Sequence, residues 1–269
     1  LFEPSLSLLE DAGFAPEHPG ERALVVPCRS APIQIMLVRA KDIPEYVQDG
    51  VVDCGITGAD LVMERKANVT ELLPLGFGGC SLEAAVPEAS PARDVSDLAG
   101  SRVATTYPGI TGEYFAARGI GVTLVDVSGS VEVAPRLGLA DAIVDLVSSG
   151  NTLRTNGLRA VGTVLDSEAL LIGGERPSEA AMTLARVISS VVAARSARYL
   201  MFNAPSEKLE EICGLVPSSR SPSIVPLAEV GMVAVHSLVP AEEVWRLLPR
   251  LHAAGASSIL LLPIERMLA

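Results

Sequence analysis

Gly138-Leu139-Ala140-Asp141-Ala142-Ile143-Val144-Asp145-Leu146-Val147-Ser148-Ser149-Gly150-Asn151-Thr152 decides how this chain is read. Ala142 to Val147 reads as a short buried strand, and Asp145 stands in its middle. A carboxylate among Ile, Val and Leu costs free energy unless something meets it. The strand runs into Ser148 to Thr152, a small polar loop rich in backbone N–H groups and hydroxyls, suited to hold a phosphate. An acid beside such a loop matches a sugar phosphate, with the carboxylate on ribose hydroxyls and the loop on the phosphate. Taken alone, Ser-Ser-Gly-Asn-Thr is equally an ordinary turn; Asp145 upstream tips the balance. Asp141, four residues earlier on the same strand face, equally suits a cap at the strand entrance.

Working outward, the segment has a fainter echo. Gly50-Val51-Val52-Asp53-Cys54-Gly55-Ile56 also stops a helix at Gly, places Asp three residues later and opens a strand. A common α-to-β connection explains one such echo, and so do two similar lobes facing a cleft. The pattern predicts strands at 33–38, 51–56, 101–106 and 122–127, with helices from Asp42, Leu61, Thr111 and Ser130 between them. Residues 1–13 read as the end of an amphipathic helix stopped by Gly13. Alternating strands and helices predict parallel α/β layers, with the site beyond the strand C-termini. After a long helix at 178–198, the order β-α-β-β-α-β up to Pro263 follows the ferredoxin-like plan. No catalytic constellation appears in that last third, which favours a regulatory or assembly role.

Composition narrows the class. The 269 residues are 49% hydrophobic, enough for a sizeable core in two or three domains. No apolar run approaches the ~18 residues of a membrane span, and no signal peptide is visible. A net charge of −11 without a Lys/Arg cluster speaks against nucleic acid. Cys28, Cys54, Cys80 and Cys213 show no C-x-x-C spacing, so a reducing cytoplasm is the natural setting. His18, His236 and His252 are scattered and offer no metal-ligand spacing.

Further motifs carry a resemblance. Arg39-Ala40-Lys41-Asp42-Ile43-Pro44, Asp53 to Val62, Leu75-Gly76-Phe77-Gly78, Ala104-Thr105-Thr106-Tyr107-Pro108 and the opening segment, in this order and spacing, resemble ATP phosphoribosyltransferase. The last third is similar to the family's long form, with its ACT-like regulatory domain. The resemblance implies a two-lobed, periplasmic-binding-protein-like (type II) α/β catalytic region followed by a ferredoxin-like domain. It places the first lobe at 1–80 with 174–194, the second at 81–173 and the regulatory domain at 195–269. It implies condensation of ATP with phosphoribosyl pyrophosphate (PRPP), Mg²⁺ on the pyrophosphate, inhibition by histidine and a hexamer. Asp145, with Asp141, would meet the ribose hydroxyls, and Ser148, Ser149, Gly150, Asn151 and Thr152 the 5′-phosphate. Glu132 would meet adenine or act as a base; it equally suits the first turn of its own helix. Arg39, Lys41, Asp60, Leu61, Gly76, Thr105 and Tyr107 would serve the nucleotide, although Asp60 also suits a helix cap and Tyr107 the core. Ser223, Leu238 and Ser258 fall in the family's histidine site. No side chain is assigned to a metal. The family's opening strand and Lys-Gly-Arg-type loop have no counterpart before Leu1, and cationic substrate contacts are expected there. The alternatives are a two-lobed solute-binding or sensor module without turnover, and an inactive regulatory homologue.

Overall fold

The computed structural model describes residues 1–17, 24–148, 150–217 and 221–268. The elements run α1 (Phe2–Asp11), β1 (Val25–Pro27), β2 (Gln34–Met36), α2 (Ile43–Gln48), β3 (Cys54–Gly58), α3 (Ala59–Arg65), β4 (Val69–Pro74), β5 (Cys80–Pro87), β6 (Arg102–Thr105), α4 (Pro108–Ala117), β7 (Thr123–Asp126) and β8 (Ala142–Val147). They continue α5 (Asn151–Thr155), β9 (Leu158–Ser167), β10 (Ala169–Gly174), α6 (Glu179–Arg195), β11 (Ala197–Pro205), α7 (Leu209–Cys213), β12 (Ser223–Pro226), β13 (Met232–Pro240), α8 (Val244–Ala254) and β14 (Ser257–Pro263).

The chain divides into two compact units, 1–7 with 16–185 and 8–15 with 186–269, the division falling inside α6. The first unit holds a hairpin of β1 and β2, a three-stranded sheet β3-β10-β4 and a five-stranded sheet β7-β6-β8-β5-β9. The expectation of parallel layers is corrected here. Only β7, β6 and β8 run parallel; β10 is antiparallel to both neighbours, and β5 is antiparallel to β8 and β9. Parallel neighbours need a crossover of a dozen or more residues. β9 passes through Glu168 alone from the five-stranded into the three-stranded sheet, where β10 lies antiparallel between β3 and β4.

Several element boundaries moved by a few residues, two of them for clear local reasons. The strand expected from Val51 starts at Cys54, because the amides of Val51 and Val52 both donate to Tyr46 O and close the end of α2. The helix expected from Ser130 shrinks to a 3-10 turn at Val131–Val133, since Pro135 cannot continue it. The echo is real at the backbone. Gly50 and Gly138 both have φ near +70° (71° and 70°), and Asp53 and Asp141 each stand one residue before a strand.

The five-stranded sheet buries both faces. One carries Leu82, Ala84, Val103, Val144 and Phe115. The other carries Ala85, Ala104, Ile143, Val131 and Leu153. In the second unit, β12-β13-β11-β14 are all antiparallel, the ferredoxin-like order. Leu200, Phe202, Ile212, Val235, Leu247 and Leu251 form its core under α7 and α8. The edge strands β12 and β14 each close on a proline, Pro226 and Pro263.

Candidate active site

Alternation along β8 sorts its side chains. Ala142 and Val144 join one core, Ile143 the other, and Asp145 shares the Ile143 side. Asp145 is half-buried. Its Oδ1 accepts the Leu146 amide at 2.9 Å. Among the described residues no Lys or Arg pairs with it. Burial raises its pKa first, and the nearby charge of Glu132 adds to that; the Leu146 amide opposes both. Glu132 is thus close enough to Asp145 for its charge to act on it. It also adds Glu83, directly opposite Asp145 on β5, with the Thr163 hydroxyl donating to its carboxylate at 2.9 and 3.2 Å. Like charges facing across strands are unfavourable. Glu83 was missed because Ser81-Leu82-Glu83-Ala84 reads as routine strand alternation; only the register reveals the pairing.

Past β8, Ser148 is exposed and Gly150 turns at φ +69°, starting α5 with Asn151 and Thr152 exposed and Leu153 buried as its anchor. Ser149 lies outside the described residues, as does His18. Arg154, also missed, stands one turn into α5, and its guanidinium donates to Asn151 Oδ1. A cavity of about 550 Å³ adjoins the loop, lined by Glu83, Val147, Gly150, Arg154 and Arg159 among others.

Other expected residues lie elsewhere. Asp141 is at the far end of β8, and both its oxygens take Arg102: the backbone amide and Nε on Oδ2, Nη2 on Oδ1 at 2.9 Å. It fastens the strand entrance. Arg102 holds its carboxyl below the usual range. Asp60 is 5% exposed. Its Oδ2 accepts the Tyr107 hydroxyl at 2.8 Å and its Oδ1 the Ser167 hydroxyl at 2.7 Å. Gly58 makes room for it: a Cβ there would sit 2.2 Å from Asp60 Oδ1. Tyr107 is buried and its pKa is raised, by desolvation first and then by the charge of Asp60. The fully buried Thr105 hydroxyl accepts the Tyr107 amide at 2.9 Å, and Leu61 packs on the Leu82 and Val103 core. The polar atoms of Asp60, Thr105 and Tyr107 thus pair with one another and with Ser167, and Leu61 is partly buried beside them.

Arg39 and Lys41 are exposed, on either side of Ala40, whose carbonyl accepts the Thr57 hydroxyl at 2.9 Å near the end of β3. Gly76 is exposed, with φ +70° and its amide on Glu168 Oε2. In the second unit Ser223 faces His236, and Leu238 faces Tyr199. Ser258 has φ +48° and follows Ser257, which pairs with Asn203, four residues along β11 from Tyr199. The structure does not gather these three at one point.

Against known proteins, the model of the HisG ATP phosphoribosyltransferase family matches residues 39–193, and that of the HisG C-terminal domain matches 194–266. The chain belongs to the ATP phosphoribosyltransferase family. An ATP phosphoribosyltransferase of Methanosarcina mazei is 40% identical, covering 100% of this chain and 96% of the relative. One of Gemmatimonas aurantiaca is 42% identical with the same coverage. A solved ATP phosphoribosyl transferase (HisG:HisZ) complex from Thermotoga maritima shares the fold. It has a TM-score of 0.61 and 24% identity, over 71% of this chain and 93% of that one. Membership of the ATP phosphoribosyltransferase family, with both models matched, makes this a transferase of histidine biosynthesis, of the long form. It sets aside the solute-binding alternative. Phosphoribosyltransferases generally use a divalent metal. Among the described residues no three acidic, Cys or His side chains converge to hold one unaided. A hard cation bound there would take most of its ligands from substrate oxygens and water.

Proposed function

We propose that this chain joins N1 of the adenine of ATP to C1 of the ribose of PRPP, releasing pyrophosphate and forming N1-(5-phosphoribosyl)-ATP. The half-buried Asp145, unpaired by any described cation and next to an exposed Ser/Gly/Asn/Thr loop, carries this reading. Its carboxylate accepts the ribose hydroxyls. Ser148, Ser149, Gly150, Asn151 and Thr152 surround the 5′-phosphate, with Arg154 one turn away as a counter-charge. Arg39 and Lys41 face the triphosphate or pyrophosphate, and Gly76 lets the backbone come close. Glu132, in the first turn of its 3-10 helix, meets adenine or takes its proton.

Departure of pyrophosphate leaves positive charge at C1, so the site works mainly by positioning and by stabilising that charge. Carboxylates at Glu83, Glu132 and Asp145 suit an oxocarbenium-like centre electrostatically. Mg²⁺, when bound with the pyrophosphate, neutralises the leaving group. Residues 1–80 with 174–194 and residues 81–173 act as the two catalytic lobes. Residues 195–269 act as the regulatory domain, which binds histidine. A hexamer and a cytoplasmic setting complete the proposal.

The test is direct. Protein given ATP, PRPP and Mg²⁺ is expected to form the adduct, and histidine to slow it. Asp145→Ala is expected to abolish turnover with the fold retained. Wild-type activity in that variant would remove Asp145 from the site.

A further inference from the structure

Two carboxylates on α3 reach the same target. Asp60 and Glu64 are four residues apart and so lie on one helix face. Asp60 takes the Tyr107 hydroxyl. Glu64 takes the next two available amides, Gly109 N on Oε1 and Ile110 N on Oε2, both at 2.9 Å. Those amides open α4, where helix N–H groups lack internal partners and favour a negative charge. Gly109 permits the approach, since a Cβ there would lie 3.1 Å from Glu64 Oε1. Lys66 and Glu113 add an exposed ion pair further along.

Asp60 also touches the crossing between the three-stranded and five-stranded sheets, and Glu64 is tied to it through α3. Ser167, at the end of β9, donates to Asp60 Oδ1 and accepts the Asp60 amide at 3.0 Å. Beside it, Ala59 N donates to Glu168 O, Leu75 N to Ala169 O, and Ala169 N to Phe77 O. α3 follows directly on β3, the strand whose end lies near Arg39 and Lys41. α4 follows β6, the neighbour of β8 and so of Asp145.

We propose that Asp60 and Glu64 form a two-point clamp that fixes the three-stranded sheet against the start of α4 and so sets the reach between Arg39/Lys41 and Asp145. Glu64 is then a positioning residue: it touches no substrate and acts through α4. Its role in turnover rests on the transferase reading; the clamp itself does not.

Glu64→Ala, Glu64→Gln and Tyr107→Phe in the full chain test this, by amide hydrogen exchange without substrates and by steady-state kinetics with ATP, PRPP and Mg²⁺. In Glu64→Ala, exchange is expected to quicken at 109–111 and also at the crossings, 75–79 and 167–169. Each lobe still binds its own substrate, so both KM values stay within about twofold while kcat falls about tenfold or more, the cost of mispositioned reactants. Glu64→Gln keeps one acceptor and recovers much of the rate. Glu64→Ala with Tyr107→Phe is expected to lose more than either single variant, because each releases a different point of the clamp. Faster exchange confined to the first turn of α4 reduces Glu64 to a helix cap and overturns the clamp. So does an unchanged kcat with only a lower unfolding temperature, or a raised KM with kcat intact. If wild-type protein forms no product, the transferase reading fails, and the exchange pattern alone decides the clamp.

Discussion

At the scale of single residues, Asp145 sets stability against function. Its folded-state pKa is raised, so ionising it costs the folded protein. That cost is absent below the unfolded carboxylate pKa of about 4 and sets in as pH rises through the folded value. Asp145→Asn is therefore expected to unfold at a higher temperature than wild type at neutral pH. The gain fades toward about pH 3, where wild-type Asp145 is protonated in both states. The same variant is expected to lose turnover; thermal melts across pH beside an activity assay check both halves. Asp141 has the opposite sign, with a lowered pKa from Arg102, so its contribution is present above the unfolded value and lost as pH falls. The pair is about half-exposed, at 46% and 50%, and screened. Asp141→Ala is expected to cost no more than about 1 kcal/mol in urea melts, less at high salt. Gly58→Ala is a different case. The new Cβ meets a bonded, buried carboxylate at 2.2 Å that has nowhere to go. A loss of roughly 2 kcal/mol or more is expected in the same melts.

At the scale of elements, most of what patterning could show was there to be read. Ala142 to Val147 is the expected strand to the residue, and Ser178 caps the long helix through the Ala181 amide at 3.1 Å. Gly255 ends α8 in the left-handed region. Strand direction was not legible. Periodicity reports which face is buried and is silent on which neighbour a strand takes, so the antiparallel place of β10 between β3 and β4 left no mark in its composition. The site was half legible for a related reason. Asp145 and its loop are contiguous in sequence and announce themselves by an acid out of place. Asp60 reads equally as a helix cap, and its partners Tyr107 and Ser167 lie 47 and 107 residues away. Glu83 and Glu64 gave no signal at all, being acids at positions where acids are common. α8 offers a test of packing at this scale. Leu251 is fully buried in the core under α7 and α8. Leu251→Ala is expected to cost about 2–5 kcal/mol, seen as a lower unfolding temperature.

At the scale of the whole molecule, each compact unit carries its own core: Leu82, Phe115 and Ile143 in the first, Phe202, Ile212 and Leu251 in the second. The Leu251 cavity is accordingly expected to speed hydrogen exchange first in β11, β13 and α8, and a different pattern would show that the units do not open separately. The second unit also bears on solubility. Its sheet ends at β12 and β14, and each closes on a proline. A proline brings no amide to a ladder, so neither rim is a good template for an incoming strand. Stacking of chains by cross-β growth is discouraged at the ends of an otherwise apolar sheet. A second copy that meets this unit has broad surface to grip rather than a raw edge to extend.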